Sequence, residues 1–241
     1  MISIGTPLVD ATGETRGSPA RQAWGGALAL GSLGVVATSA FYLLSPAEAA
    51  LPVLPLDLAA ALTGAQHGAA TMRAAGTFGI MSDVVVAAAA FALGAAEIAR
   101  RGPAATALGW LAVAVSALIF VSVDAIVGFV LAPLAAHPQE PGSFLGFKLF
   151  FDCLFALGTL AFASGSALIF LPQLTRPRIA AAQRLFPAAI AVPAGLAAIV
   201  GTAAGLASLL GFDSHQAMGA SIALGSVLFA FAGARLARTG D

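Results

Sequence analysis

Six apolar runs constrain this chain more than any other feature, because each is long enough for the roughly 20 residues that cross a bilayer's hydrocarbon. They lie near 24–44, 79–98, 104–133, 146–171, 185–210 and 215–237. Lipid offers no water to an exposed backbone N–H or C=O, so spans of this kind satisfy their own hydrogen bonds as helices. The expected fold class is all-α, a polytopic membrane helix bundle with six transmembrane helices. Pro133, Pro172 and Pro177 fall where helices are expected to stop, and Pro187 falls where one is expected to start. Pro193 lies inside the fifth run and predicts a kink. Residues 1–22 read as a tail and 23–238 as a single membrane domain. Its one long loop, 45–78, contains a moderately apolar stretch, Leu56–Met72, that suits either a short surface or capping helix or an ordered loop.

Loop charge sets an orientation. Arg16 and Arg21, Arg100 and Arg101, then Arg176, Arg178 and Arg184, and finally Arg235 and Arg238 all fall on one side of a six-span arrangement. Only Arg73 and Lys148 fall on the other. Under the positive-inside rule both termini are cytoplasmic and loop 45–78 is external. Arg21, the run 26–44 and Ser45-Pro46-Ala47-Glu48-Ala49 also resemble a signal peptide with its cleavage site. The polar lead before the run is long for such a peptide, so the run is read as a retained first span.

Charged residues make up 9% of the chain, against about 25% in soluble domains, which makes the lipid bilayer its main partner. Basic residues are too sparse to track a phosphate backbone, so no nucleic acid is expected. Cys153 is the only cysteine, which excludes an intramolecular disulfide or a multi-cysteine metal site. It reads as an apolar filler.

Against that background five ionisable residues stand out: Arg73, Asp83, Asp124, Lys148 and Asp152. A charge within hydrocarbon costs about 2.5–3.5 kcal/mol even on the lenient insertion scale, so it calls for a partner or a task. At ~1.5 Å of rise per residue, Asp83 would lie roughly 7 Å, Asp152 roughly 9 Å and Asp124 roughly 13 Å inside the outer ends of their spans. Lys148 and Asp152, spaced i,i+4, share a helix face and can pair. Arg73 could reach Asp83 or Asp124 from above. Three acids against two cations leave one carboxyl over, which is what a proton-coupled carrier needs. The same charges could equally lock three helices together.

Other candidates carry less chemistry. His67, His137 and His215 all fall on the outer side without a metal-ligand spacing, so no metal is expected. No histidine sits mid-span to hold a bis-histidine haem, and no cofactor is expected. Glu97 with Arg100 or Arg101 reads as an ion pair at a helix end. Gly201 and Gly205 in the fifth span, and Gly158 and Gly165 in the fourth, suit close helix packing, within the chain or in a homo-oligomer or partner subunit. Phe144, Phe147, Phe150, Phe151 and Phe155 crowd the start of the fourth span, where they would flank an apolar ligand or face lipid.

Two stretches carry a family likeness. Asp57-Leu58-Ala59-Ala60, His67, Met72-Arg73 and Gly79-Ile80-Met81-Ser82-Asp83 form the first. Leu157-Gly158-Thr159, Ser164-Gly165-Ser166 and Leu171-Pro172 form the second. Over about 57–200 the chain resembles a family of bacterial six-helix membrane proteins known only as a domain of unknown function. The resemblance carries over Arg73 and Asp83; it implies an integral membrane fold and no activity. With no nucleophile–base pair or metal motif, a membrane enzyme is the least supported class. A non-enzymatic membrane subunit or scaffold of a bacterial inner membrane is the first reading, and a small proton- or ion-coupled carrier or channel is its alternative.

Overall fold

The computed structural model describes residues 19–137, 141–174 and 188–239, and all regular structure among them is helical. The first span is α1 (Pro19–Leu44). Two short helices follow, α2 (Ala47–Ala50) and α3 (Leu58–His67), then the second span, α4 (Ala69–Ala99). The third span is composite: α5 (Ala104–Ile126), a π-helical turn (Val127–Leu131) and α6 (Ala132–Ala135). The last three are α7 (Pro141–Leu174), α8 (Ala188–Leu209) and α9 (His215–Thr239). Six helices are therefore long and apolar enough to cross a membrane, and the chain is a multi-pass membrane protein.

Each span packs on its neighbour in sequence, and α9 returns to α1, so the six close into a ring in chain order. Small residues set the closest crossings, as expected where packing rather than hydrophobic force joins helices. A methyl group on Gly233 would lie 2.6 Å from the Gly25 carbonyl oxygen, and one on Gly165 would lie 2.8 Å from that of Gly109. Gly158 faces Phe120 of α5, Gly201 faces Ser221 of α9, and Gly205 faces Leu160 of α7. These glycines serve contacts within the chain.

At one end of the ring lie the start of α1 and the ends of α4 and α9. There Glu97 is buried and accepts from Arg21 at 3.2 Å and from Arg100 at 2.6 Å. The sequence offered Arg100 or Arg101 as its partner; Arg21 is added from another span. The opposite end is closed by α2 and α3. Asp57 caps α3 by accepting from the Ala60 N–H at 3.0 Å. Ala61 and Ala65 are buried, and Gly64 and Gly68 seat against Pro46 with no room for a side chain. Gln66 ties this cap to the third span through the Ala135 carbonyl, 2.5 Å away.

Several boundaries differ from the sequence reading: α1 begins at Pro19 rather than near 24, taking in the end of the expected tail, and α7 begins at Pro141 rather than near 146. The second span begins at Ala69 rather than near 79, because Gly68 allows α4 to start directly after α3. Asp83 therefore sits near the middle of its helix, about 21 Å along it from Ala69. The third span runs two residues past Pro133, and α7 runs two residues past Pro172. Within the last turn a proline removes only one backbone bond, since the following carbonyls have no intrahelical partner anyway. Pro193 lies inside α8. Arg16, Arg176, Arg178, Arg184, Pro177 and Pro187 lie outside the described residues.

Two apolar cores fill the ring. Leu28, Trp110, Ile169, Phe170, Phe229 and Leu236 belong to the one nearer the chain ends. Tyr42, Met72, Phe144, Phe151, Phe155 and Met218 belong to the one beneath the α2–α3 cap. The carboxyl groups of α4 and α5 lie where the two meet.

Candidate functional site: a buried carboxyl pair

Asp83 from α4 and Asp124 from α5 come together inside the ring, 6% and 2% exposed, with their carboxyl groups near enough to interact directly. Glycine makes the meeting possible. A methyl on Gly79, one turn before Asp83, would overlap the Asp124 carboxyl, and one on Gly76 would lie 2.5 Å from the Asp124 carbonyl oxygen. The bare backbone of α4 thus makes room for an acidic side chain from α5. A third member comes from the first span: the Tyr42 hydroxyl donates to Asp124 Oδ1 at 2.6 Å.

Two carboxyls in contact cannot both be ionised, because like charges so close repel strongly. A hydrogen bond between them also needs a proton on one partner as its donor. Among the described residues no Lys, Arg or His pairs with either acid. The site is thus a proton-sharing acid pair with a phenol at its side.

Lys148 and Asp152 form a second, separate group. They pair directly along α7, and Lys148 is fully buried. Its ammonium also donates to the Leu51 carbonyl at 2.9 Å and lies 5.0 Å from the Phe151 ring centre. That bond fastens the loop between α2 and α3 to α7. Arg73 joins neither group; it is exposed and has no ion pair among the described residues. Ten residues of helix turn it roughly 80° away from Asp83.

The phenylalanines of α7 divide by face. Phe144, Phe151 and Phe155 are buried, with Phe155 packed edge-on to Tyr42, while Phe147 and Phe150 face outward. Cys153 is exposed on that outer side and fills no core space. His67 contacts the Thr63 carbonyl and His215 contacts Asp213. No three His, Cys, Asp or Glu side chains gather as a metal site among the described residues.

A cavity of about 20 Å³ lies beside Asp83 at the ring's centre. Ser32, Ser116 and Ser226 line it together with apolar side chains of α1, α4, α5, α7 and α9. Tyr42 and these serines are absent from the sequence reading of the site. Tyr42 is the chain's only tyrosine and sits near the end of its span, where an interfacial anchor is the ordinary assignment.

Compared with protein-family models, curated proteins and solved structures, the chain matches none of them.

Proposed function

We propose that this chain is a proton-handling membrane protein, a small proton-coupled carrier or channel whose working group is the Asp83–Asp124 pair. The observation that carries this reading is the closeness of two buried carboxyls with no cation beside them among the described residues. An ion-paired acid is fixed as an anion, and a structural lock needs such pairing, as at Lys148–Asp152. The uncompensated pair has a different chemistry. With one shared proton it carries a single negative charge, and binding a second proton neutralises it. It can therefore load and release a proton within the low-dielectric interior, a recurrent use of intramembrane carboxyls. Tyr42, donating to Asp124, steadies the singly charged form.

The distribution of arginines supports cytoplasmic termini and an external α2–α3 cap. Low charge and richness in alanine and glycine suit a bacterial inner membrane. In this arrangement the pair is occluded, with the cap above it and the core around Trp110 and Phe229 below. One observation favours a second reading, a non-enzymatic subunit: the cavity beside Asp83 is far too small for a solute.

Proteoliposomes holding the full chain and a pH-sensitive dye separate the two. A carrier or channel dissipates an imposed pH gradient, and Asp83→Asn and Asp124→Asn each abolish the flux while the protein stays folded. Flux that survives both substitutions, or no flux from the wild type, overturns the proposal and favours the subunit.

A further inference from the structure

The hydroxyls of Ser32 on α1 and Ser226 on α9 are exceptions among the buried serines of the described residues, the rest of which each donate to a backbone carbonyl. Within an apolar helix bundle a serine ordinarily bonds back to the carbonyl one turn earlier. Ser39, Ser45, Ser82 and Ser166 do so, accepted by Val35, Phe41, Phe78 and Phe162. Ser116 reaches across to the Gly158 carbonyl at 2.7 Å. Ser32 and Ser226 are 2% and 3% exposed, yet neither has a hydrogen-bond partner among the described residues. Both line the cavity that Asp83 also lines. An unpaired buried hydroxyl is unfavourable, and a helix offers each serine an easy partner, so two such groups facing one space mark a place for something polar.

The dimensions select the occupant. About 20 Å³ is room for one water molecule, which needs two to four polar partners. The Asp83 carboxyl and the hydroxyls of Ser32, Ser226 and Ser116 provide them. A bare cation is a worse fit, since hard cations gather six or more oxygens and most of this lining is apolar.

We infer that the cavity binds a single water that bridges Asp83 to Ser32 and Ser226, extending the hydrogen-bond network of Tyr42, Asp124 and Asp83 to α1 and α9. The inference rests on the proton-handling reading and names the partner of its site. Tyr42 meets the acid pair at Asp124, and the cavity meets it at Asp83. The water accepts the hydrogen bond of protonated Asp83 and donates its own two to the Ser32 and Ser226 oxygens, so every hydroxyl stays neutral and the proton stays with the acid pair. Tyr42, Asp83 and Asp124 are the titratable groups of this network.

Infrared difference spectra of the lipid-reconstituted chain across a pH step, in ordinary and in heavy-oxygen water, test the inference without depending on transport. The expected result is an isotope-shifted O–H band of an isolated water that changes together with the protonated-carboxyl band. Ser32→Ala with Ser226→Ala removes the water band, leaves the carboxyl band and lowers proton flux severalfold; Ser226→Thr, which keeps a hydroxyl, retains both. No isotope-shifted band in the wild type overturns the inference, as does a band unaffected by the alanine pair. A band lost on adding sodium, with flux that follows sodium, replaces the water with a cation. Abolished flux in Asp124→Asn beside unchanged flux in the alanine pair leaves the carrier standing and removes the water from its mechanism. A wild type with a serine-dependent water band and no flux keeps the water and removes the carrier.

Discussion

Tyr42 Oη lies 2.6 Å from Asp124 Oδ1, joining the first span to the third through the only phenol in the chain. Both groups are buried, so the bond has no water to replace it. Tyr42→Phe keeps the ring and its edge-on contact with Phe155, 6.4 Å between centres, and removes only the donor. The expected cost is about 1–3 kcal/mol, the range for leaving a buried polar group short of a partner. Unfolding of the purified protein by SDS in mixed micelles measures it. A loss below about 0.5 kcal/mol would mean that Asp124 finds another donor at once, as membrane bundles often permit.

Gly79 is the glycine of α4 with least room, since a methyl there would overlap the Asp124 carboxyl. Gly79→Ala is expected to push the carboxyl away from Asp83 and to destabilise the bundle by about 1–3 kcal/mol, as overpacking does. Gly219→Ala serves as control, because nothing lies within 4 Å of the added carbon. The same SDS titration compares them. Equal stability of the two variants would show that α4 and α5 stand further apart than described.

The spans themselves were legible because hydrocarbon demands one kind of backbone solution, and the run lengths announce it. Asp83, Asp124, Lys148 and Asp152 were equally plain, since ionisable residues are rare in such runs. Which of them meet was not. Lys148 and Asp152 are one turn apart on one helix, so spacing alone pairs them. Asp83 and Asp124 meet only because Gly76 and Gly79 let α5 close on α4, a tertiary fact. Arg73 was placed over the acids on the assumption that residues before 79 form a loop. Once α4 starts at Ala69, the helical phase turns Arg73 outward. The π-helical turn at Val127–Leu131 has a local cause visible afterwards: Pro133 lacks the N–H that would bond the Phe129 carbonyl, and its ring crowds that oxygen.

Lys148 is fully buried, and its charge is met by Asp152, the Leu51 carbonyl and the face of Phe151. Removing one member of a buried pair strands the other, so Lys148→Met is expected to cost on the order of 3 kcal/mol. The double variant Lys148→Met with Asp152→Leu is expected to recover much of that, since apolar side chains replace buried ion pairs well. Protease cutting in the loop between α2 and α3 adds a specific readout. The single and the double variant both lose the Leu51 anchor and should be cut faster than wild type, even where stability is restored. Restored stability with wild-type resistance would show that Lys148 does not fasten the cap.

Asp213 stands between α8 and α9, outside the spans. Its carboxylate accepts from the His215 ring at 2.6 Å and from the His215 backbone N–H at 3.4 Å, and the ring's hydrogen bond holds it below the usual carboxylate range. A carboxyl depressed by folding stabilises the native state at any pH above its unfolded value, about 4. That contribution fades as pH falls through the lower, folded value. Asp213→Asn is therefore expected to weaken the fold at neutral pH and to match wild type in sufficiently strong acid. The neutral-pH difference is small, about 0.2–1 kcal/mol, because the side chain is 41% exposed and water screens the pair. Thermal unfolding of both proteins in detergent, taken from neutral pH down past the carboxylate range, measures the gap. A gap that stays constant throughout would assign the effect of the substitution to packing at the start of α9 rather than to the ionised carboxylate.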